Sequence, residues 1–235
     1  MRFDKVFKLK FPFLIMNKWL KKELTEIKKG LKLIFTSKIF YISFIIFYIG
    51  VLANQISQSI LNKWRIEGVV YPKLSDIILD NIPYWNISFI YDWAAFLVII
   101  VFASYVVYKR EYRKIPYFLL LLGSFEILRG IFIILTPLGN PPGFEGSNSI
   151  FKGFSKYELG VYPSGHSGGT FLYILMSKGI YKYILMALLF ILIAALFFSR
   201  GHYTIDVLSG LIFAYAIFCF MNKYLKNKFI IKNKY

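Results

Sequence analysis

Apolar runs of similar length alternate along the chain with short polar connections, many of them basic. A run of about 20 apolar residues is the length that crosses a bilayer as a helix. Six segments read this way: residues 35–57, 87–107, 117–136, 166–176, 180–198 and 203–221. The fourth is short and contains Gly168 and Gly169; it reaches spanning length only by taking in the turn around Ser164 and part of the loop after Ser177. Upstream of the first run, Leu20, Leu24, Ile27, Leu31 and Ile34 fall at alternating spacings of four and three, and lysines fill much of the opposite face. That spacing predicts an amphipathic helix lying on a membrane surface, with docking of a partner protein as the other reading. No continuous apolar core follows the basic start, so this segment is not read as a cleavable signal peptide.

The expected architecture is therefore all-α: an integral membrane bundle of six transmembrane helices. It is preceded by a basic amphipathic segment (residues 1–34), occupies residues 35–222, and ends in a basic tail (residues 223–235). No internal repeat or second domain is visible.

Composition agrees. Hydrophobic residues make up 57% and charged residues 17%, against about 45–50% and about 25% in soluble domains. The net charge of +17 would suggest nucleic acid if the basic residues formed one face, but they lie between and outside the apolar runs, so no nucleic-acid partner is expected. Twenty-two of the 29 Lys and Arg fall on the side of the two termini, six on the opposite connections, and Arg129 inside the third run. By the positive-inside rule both termini are cytoplasmic and the long loops 61–86 and 138–165 lie outside, in a multi-pass protein of the cell membrane. The single cysteine, Cys219, excludes an intrachain disulfide and a cysteine-based metal cluster, and reads as a small buried or lipid-facing residue.

The chain has only two histidines, both at the outer edge of an expected span. His166 lies in Tyr162-Pro163-Ser164-Gly165-His166-Ser167, and His202 in Ser199-Arg200-Gly201-His202-Tyr203-Thr204-Ile205-Asp206. Ionisable groups at a membrane boundary generally have a use. Four residues apart on a helix, His202 and Asp206 would share one face, and the carboxylate would fix the imidazole tautomer and leave the other nitrogen free to attack. The alternative is a helix-stabilising pair worth a few tenths of a kcal/mol. Ser164 and Gly165 stand at a helix start, whose free N–H groups bind anions. Arg200 can fork onto phosphoryl oxygens, and Arg129, about two turns below the outer edge, can reach toward the same place. A nucleophilic histidine, its carboxylate, a second histidine as acid, two arginines and helix N–H groups describe metal-free phosphoryl transfer. No metal site and no cofactor are expected, since His202 and Asp206 alone are too few ligands.

At these residues the chain resembles the type 2 phosphatidic acid phosphatases: Pro163-Ser164-Gly165-His166, then Ser199-Arg200-x-His202-x-x-x-Asp206. That family's first motif, Lys-x6-Arg-Pro, is matched in place by Arg129-x6-Thr136-Pro137, with threonine where the family has its second basic residue. Only Gly201 separates Arg200 from His202, where the family usually has five residues. Both departures are similar to the sphingomyelin synthase-like branch. His202-Tyr203-Thr204-Ile205-Asp206-Val207, with Tyr215 downstream, resembles its HYTxDV motif; Arg129 through Thr136-Pro137-Leu138 and Asn140-Pro141-Pro142 resembles its arginine-to-TLPxP segment; and Pro72-Lys73-Leu74-Ser75-Asp76-Ile77 resembles its PPLPD segment. The Cys-Gly-Asp that precedes the serine-glycine-histidine in animal synthases is replaced by Leu159-Gly160-Val161-Tyr162-Pro163.

The resemblance implies that His202 is the nucleophile and forms a phosphohistidine, that Asp206 orients it, and that His166 protonates the leaving alcohol. It implies a phospholipid or lipid phosphate substrate and a lipid alcohol or water as acceptor. Two arginines by motif suit a singly charged phosphodiester better than a dianionic monoester, so a phosphatidic acid phosphatase activity is the alternative; a transport protein is the alternative of another class. Asp76, Glu158 and Tyr162 are candidate head-group contacts. Tyr71, Tyr84, Trp85, Phe151, Phe154, Tyr157 and Tyr162 either cage a quaternary ammonium or form the interfacial aromatic belt. Asp92 and Glu126, inside spans two and three, are candidate partners of Arg129. Oligomeric state is not legible.

Overall fold

The computed structural model describes residues 4–144 and 159–232, with side chains described from residue 20 onward. Every regular element among the described residues is helical: α1 (Asp4–Phe35), α2 (Lys38–Ile66), α3 (Ser88–Tyr108), α4 (Ile115–Leu135), α5 (Gly165–Met176), α6 (Ile180–Phe198) and α7 (Thr204–Tyr224), with short 3₁₀ turns at Leu79–Asn81, Glu111–Lys114 and Lys226–Lys228.

Five stretches are long and apolar enough to cross a membrane: α2, α3, α6, α7 and Glu111–Leu135, which contains α4. Their outward faces carry exposed Ile45, Ile49, Ile56, Ile99, Phe190 and Ile212, as lipid contact requires. Cys219 is likewise exposed. The fourth expected span is different. α5 has 12 residues, about 18 Å at ~1.5 Å per residue. It does not extend as helix into the turn at Ser164 or the loop after Ser177. Its start is set by the extended Ser164 cap, and its end by Ser177 and by Gly179, whose φ of 62° breaks the chain direction before α6. Residues 159–163 descend instead as non-helical chain, with Leu159, Val161 and Pro163 buried.

Two helix pairs organise the bundle. α2 and α4 run parallel in close contact, because a Cβ at Gly123 would stand 2.6 Å from Phe47 Cα and only glycine permits that approach. α5 and α7 also run parallel, with a Cβ at Gly210 excluded by the Ser164 carbonyl at 2.6 Å. The two pairs meet where α4 touches α5 and α7, and on the other side of α5, α3 packs on α6 through Tyr91, Ala94, Leu192, Ala195 and Leu196, with Trp85 stacked on Phe198 at 4.6 Å.

α1 meets the opposite end of the bundle. Arg110 lies 3.4 Å from Glu23 and 3.6 Å from Glu26, Gly30 fits against the Tyr112 ring, and Ile34 is buried. Leu20, Leu24 and Leu31 of the same stripe stay exposed. The C-terminal tail joins this end, where Ile231 N donates to Arg113 O at 3.0 Å. The N-terminal ends of α5 and α7 lie at the other end, so both histidines are remote from the α1 contacts and from Ile231.

Candidate active site

His202 precedes α7 rather than lying in it. α7 opens at Thr204 with Tyr203 as its N-cap, and Asp206 is the third residue of the helix. The carboxylate reaches back: Oδ2 accepts from Tyr203 N at 2.8 Å and stands 3.3 Å from His202 Nδ1. The expected histidine–aspartate pair therefore exists, but as part of a helix cap and not as two positions on one helical face. The difference matters, because the carboxylate is anchored by a backbone N–H and by the positive end of the helix. His202 is 5% exposed and Asp206 fully buried. With Nδ1 committed to Asp206, Nε2 is the nitrogen left for chemistry.

His166 occupies the first turn of α5. Its ring centroid lies 5.9 Å from that of His202, and Tyr91 meets it edge-on at 5.3 Å. Ser164 caps α5, with Oγ accepting from Ser167 N at 3.3 Å. The two histidine-bearing starts are tied directly: Ser164 N donates to Asp206 O at 2.9 Å, and Ser167 Oγ to Val207 O at 3.2 Å. Ser164 and Gly165 thus stand beside the two histidines.

Both arginines are committed to main-chain carbonyls. Arg129 donates from Nε to Pro163 O at 2.9 Å and from Nη2 to Gly160 O at 3.3 Å. Arg200, with a left-handed φ of 56°, donates from Nη1 to Leu79 O and from Nη2 to Ile82 O at 2.9 Å. Their first structural effect is to hold the loops around the site.

Asp76 sits in the loop before α3 and is 8% exposed. Its Oδ2 accepts from Thr204 N at 2.6 Å, and its Oδ1 from Thr204 Oγ1 at 2.8 Å, Ile78 N at 3.1 Å and Leu79 N at 3.2 Å. Burial pushes its pKa up, but these hydrogen bonds outweigh that and hold it below the ordinary carboxylate value. This carboxylate clasps the loop before α3 to the start of α7. Tyr203, fully buried, adds a second clasp: its hydroxyl accepts from Leu74 N and donates to Asn140 O, both at 3.2 Å.

Tyr162, joined to Pro163 by a cis peptide, packs edge-on against Phe132 at 6.0 Å. Tyr71 is buried with its hydroxyl on Leu61 O, and Trp85 is on Phe198, so these three aromatics have separate packing partners. Glu158, Phe151, Phe154 and Tyr157 lie outside the described residues. Asp92 is buried on α3. Glu126 stands 3.8 Å from Arg129 Nη1, as expected of a partner. At the same end, a cavity of about 610 Å³ is lined by residues including Arg65, Lys73, Asn140 and Phe144.

Sequence reading missed Asn54 of α2, which contacts both Glu126 and Arg129. An amide within an apolar span was the available signal.

Residues 164–224 match the family described as PAP2 superfamily C-terminal, a stretch that holds α5, α6, α7 and both histidines. No curated protein matches the chain. The match supports the type 2 phosphatidic acid phosphatase superfamily that the motifs resemble.

Proposed function

We propose that the protein is a membrane enzyme that transfers phosphoryl groups of lipid phosphate esters through a phosphohistidine on His202. Within that class we favour a sphingomyelin synthase-like head-group transferase or hydrolase. The observation that carries the reading is the meeting of His202, backed by Asp206, with His166 at a centroid separation of 5.9 Å.

His202 Nε2 attacks phosphorus and forms the N–P bond while the bond from phosphorus to the leaving oxygen breaks. His166 gives that oxygen its proton and later takes one from the incoming water or alcohol, whose oxygen bonds to phosphorus as the N–P bond breaks and frees His202. Asp206 holds the tautomer and stabilises the charged ring. The N–H groups at the start of α5 face the developing phosphoryl charge, and the remaining donors of Arg129 and Arg200 supply positive field. Two cations, each already shared with carbonyls, suit a phosphodiester better than a monoester dianion. Six spans of alternating direction, cytoplasmic termini and an outward-facing site complete the proposal, with α1 on the inner leaflet. The basic asymmetry supports that orientation, as does the separation of the histidines from α1 and the tail.

The test is turnover of a fluorescent phospholipid by purified protein in nanodiscs, with trapping of a base-stable, acid-labile phosphoprotein. Wild-type protein should yield both; a labelled product with no trapped intermediate would sink the phosphohistidine, and no turnover of mono- or diesters would sink the enzyme reading.

A further inference from the structure

Asn54 lies on the α2 face that meets α4, 5% exposed, where the surrounding helix is apolar. Its amide is divided between opposite charges. Nδ2 donates to Glu126 Oε2, and Oδ1 accepts from Arg129 Nη1 at 2.6 Å. That arginine nitrogen stands 3.8 Å from the same Glu126 oxygen, beyond hydrogen-bonding distance. An amide therefore separates a carboxylate and a guanidinium that would otherwise close on each other as a bidentate pair. Packing does not account for the group. Polar and charged side chains at this depth are costly, and apolar residues of the same volume would hold the helix pair at least as well.

What the arrangement accomplishes is read from the other donors of Arg129. They hold the carbonyls of Gly160 and Pro163, and the guanidinium lies so close to the next turn that a Cβ at Gly165 would meet Cζ at 3.0 Å. The chain from Pro163 to His166 is thus gripped by Arg129 on one side and by Asp206 O, through Ser164 N, on the other.

We infer that Asn54 is a positioning residue: by keeping Glu126 off Arg129 it holds the arginine fork on the Gly160 and Pro163 carbonyls, and so fixes the turn that places His166 against His202. The inference rests on the histidine pair being the reactive site. Without the amide, Arg129 turns to Glu126, Pro163 O loses its donor where water is scarce, and the His166 ring is no longer held in one place.

Because the chain has two histidines, ring-labelled histidine gives two sets of NMR signals in nanodiscs. His166 sits edge-on to Tyr91, so ring current makes its signals sensitive to displacement. Asn54→Leu should shift or split the His166 signals and lower kcat on the fluorescent phospholipid about tenfold, with KM held within about twofold. Asn54→Leu combined with Glu126→Gln removes the carboxylate that draws Arg129 away; it should return the His166 signals to their wild-type positions and recover most of the rate. Asn54→Ala, which needs no new space and removes the same acceptor from Arg129, should displace the signals as well and serves if the leucine variant does not fold. Unchanged His166 signals in the single variants overturn the inference, as does a double variant no closer to wild type than Asn54→Leu. The signals are read without turnover. A protein that turns over no lipid but shows displacement and rescue therefore supports the positioning role while sinking the enzymatic reading.

Discussion

The α5–α7 and α2–α4 seams are built alike and used differently. Each is a parallel pair brought close by glycine, and each buries polar groups at the contact. In α5–α7 the polar groups are two imidazoles and a carboxylate, with one imidazole nitrogen left uncommitted by Asp206. In α2–α4 they are an amide, a carboxylate and a guanidinium that bond to one another and to backbone. The first seam keeps an imidazole nitrogen out of its own hydrogen bonding; the second spends its donors and acceptors on holding chain together. On the proposed mechanism, reactivity and rigidity fall to neighbouring helix pairs, joined by the stretch of chain from Gly160 to Gly165.

The contrast is broken first at His202. His202→Ala removes the proposed nucleophile and should lower kcat at least about 10³-fold with the protein still folded; residual turnover above a few per cent on the fluorescent phospholipid would move the nucleophile elsewhere. Asp206→Asn should cost about 10²-fold, since the ring loses its orienting acceptor while Nε2 remains. Equal loss in the two variants would make the carboxylate part of the chemistry itself.

Asp76 tests whether the loop before α3 belongs with the α5–α7 seam. Its folded pKa lies below the ordinary 3.8, so the clasp on Thr204 contributes stability that is complete above that value and lost as pH falls through the folded pKa. Melting of the wild type should therefore drop below about pH 4, and Asp76→Asn, already lowered at pH 7 by about 1–3 kcal/mol, should drop less. Parallel melting curves against pH would remove Asp76 from the clasp. On the α2–α4 seam, Glu126→Gln alone should change kcat less than about threefold, because Asn54 still holds Arg129 and nothing draws it away. A loss as large as that of Asp206→Asn would erase the distinction between the seams. The smallest effect is expected from a chelator: EDTA should alter turnover by less than about twofold, since the stabilising charges are arginines and N–H groups. Full loss restored by a divalent ion would overturn this.

Hydropathy made the long helices legible, because length and apolarity alone decide whether a segment can satisfy its backbone in lipid. The short α5 was visible as an anomaly, but not the reason for it: the chain descends without helix to meet Arg129, a contact across 34 residues. The motif residues were legible as a set because His202, Tyr203 and Asp206 are neighbours in sequence. Their cap geometry was not, since an i, i+4 spacing is the same on a helical face and across a helix start. Asn54 was legible only as an amide in an apolar span; its role was not, because its partners lie 72 and 75 residues away and no local pattern reports a long-range hydrogen bond.

The Asp76 clasp also fixes a schedule. Thr204 follows Asp76 by 128 residues, which at about 5–20 residues per second is about 6–25 s of synthesis. During that interval the loop before α3 has been made but has nothing to hold, while both helices of the α2–α4 seam, with Asn54, Glu126 and Arg129, are present once residue 135 has emerged, and the arginine meets its carbonyls when Gly160 and Pro163 follow. The rigid half of the molecule is therefore available as a template before the reactive half exists, and the two histidines meet only when the last helix arrives.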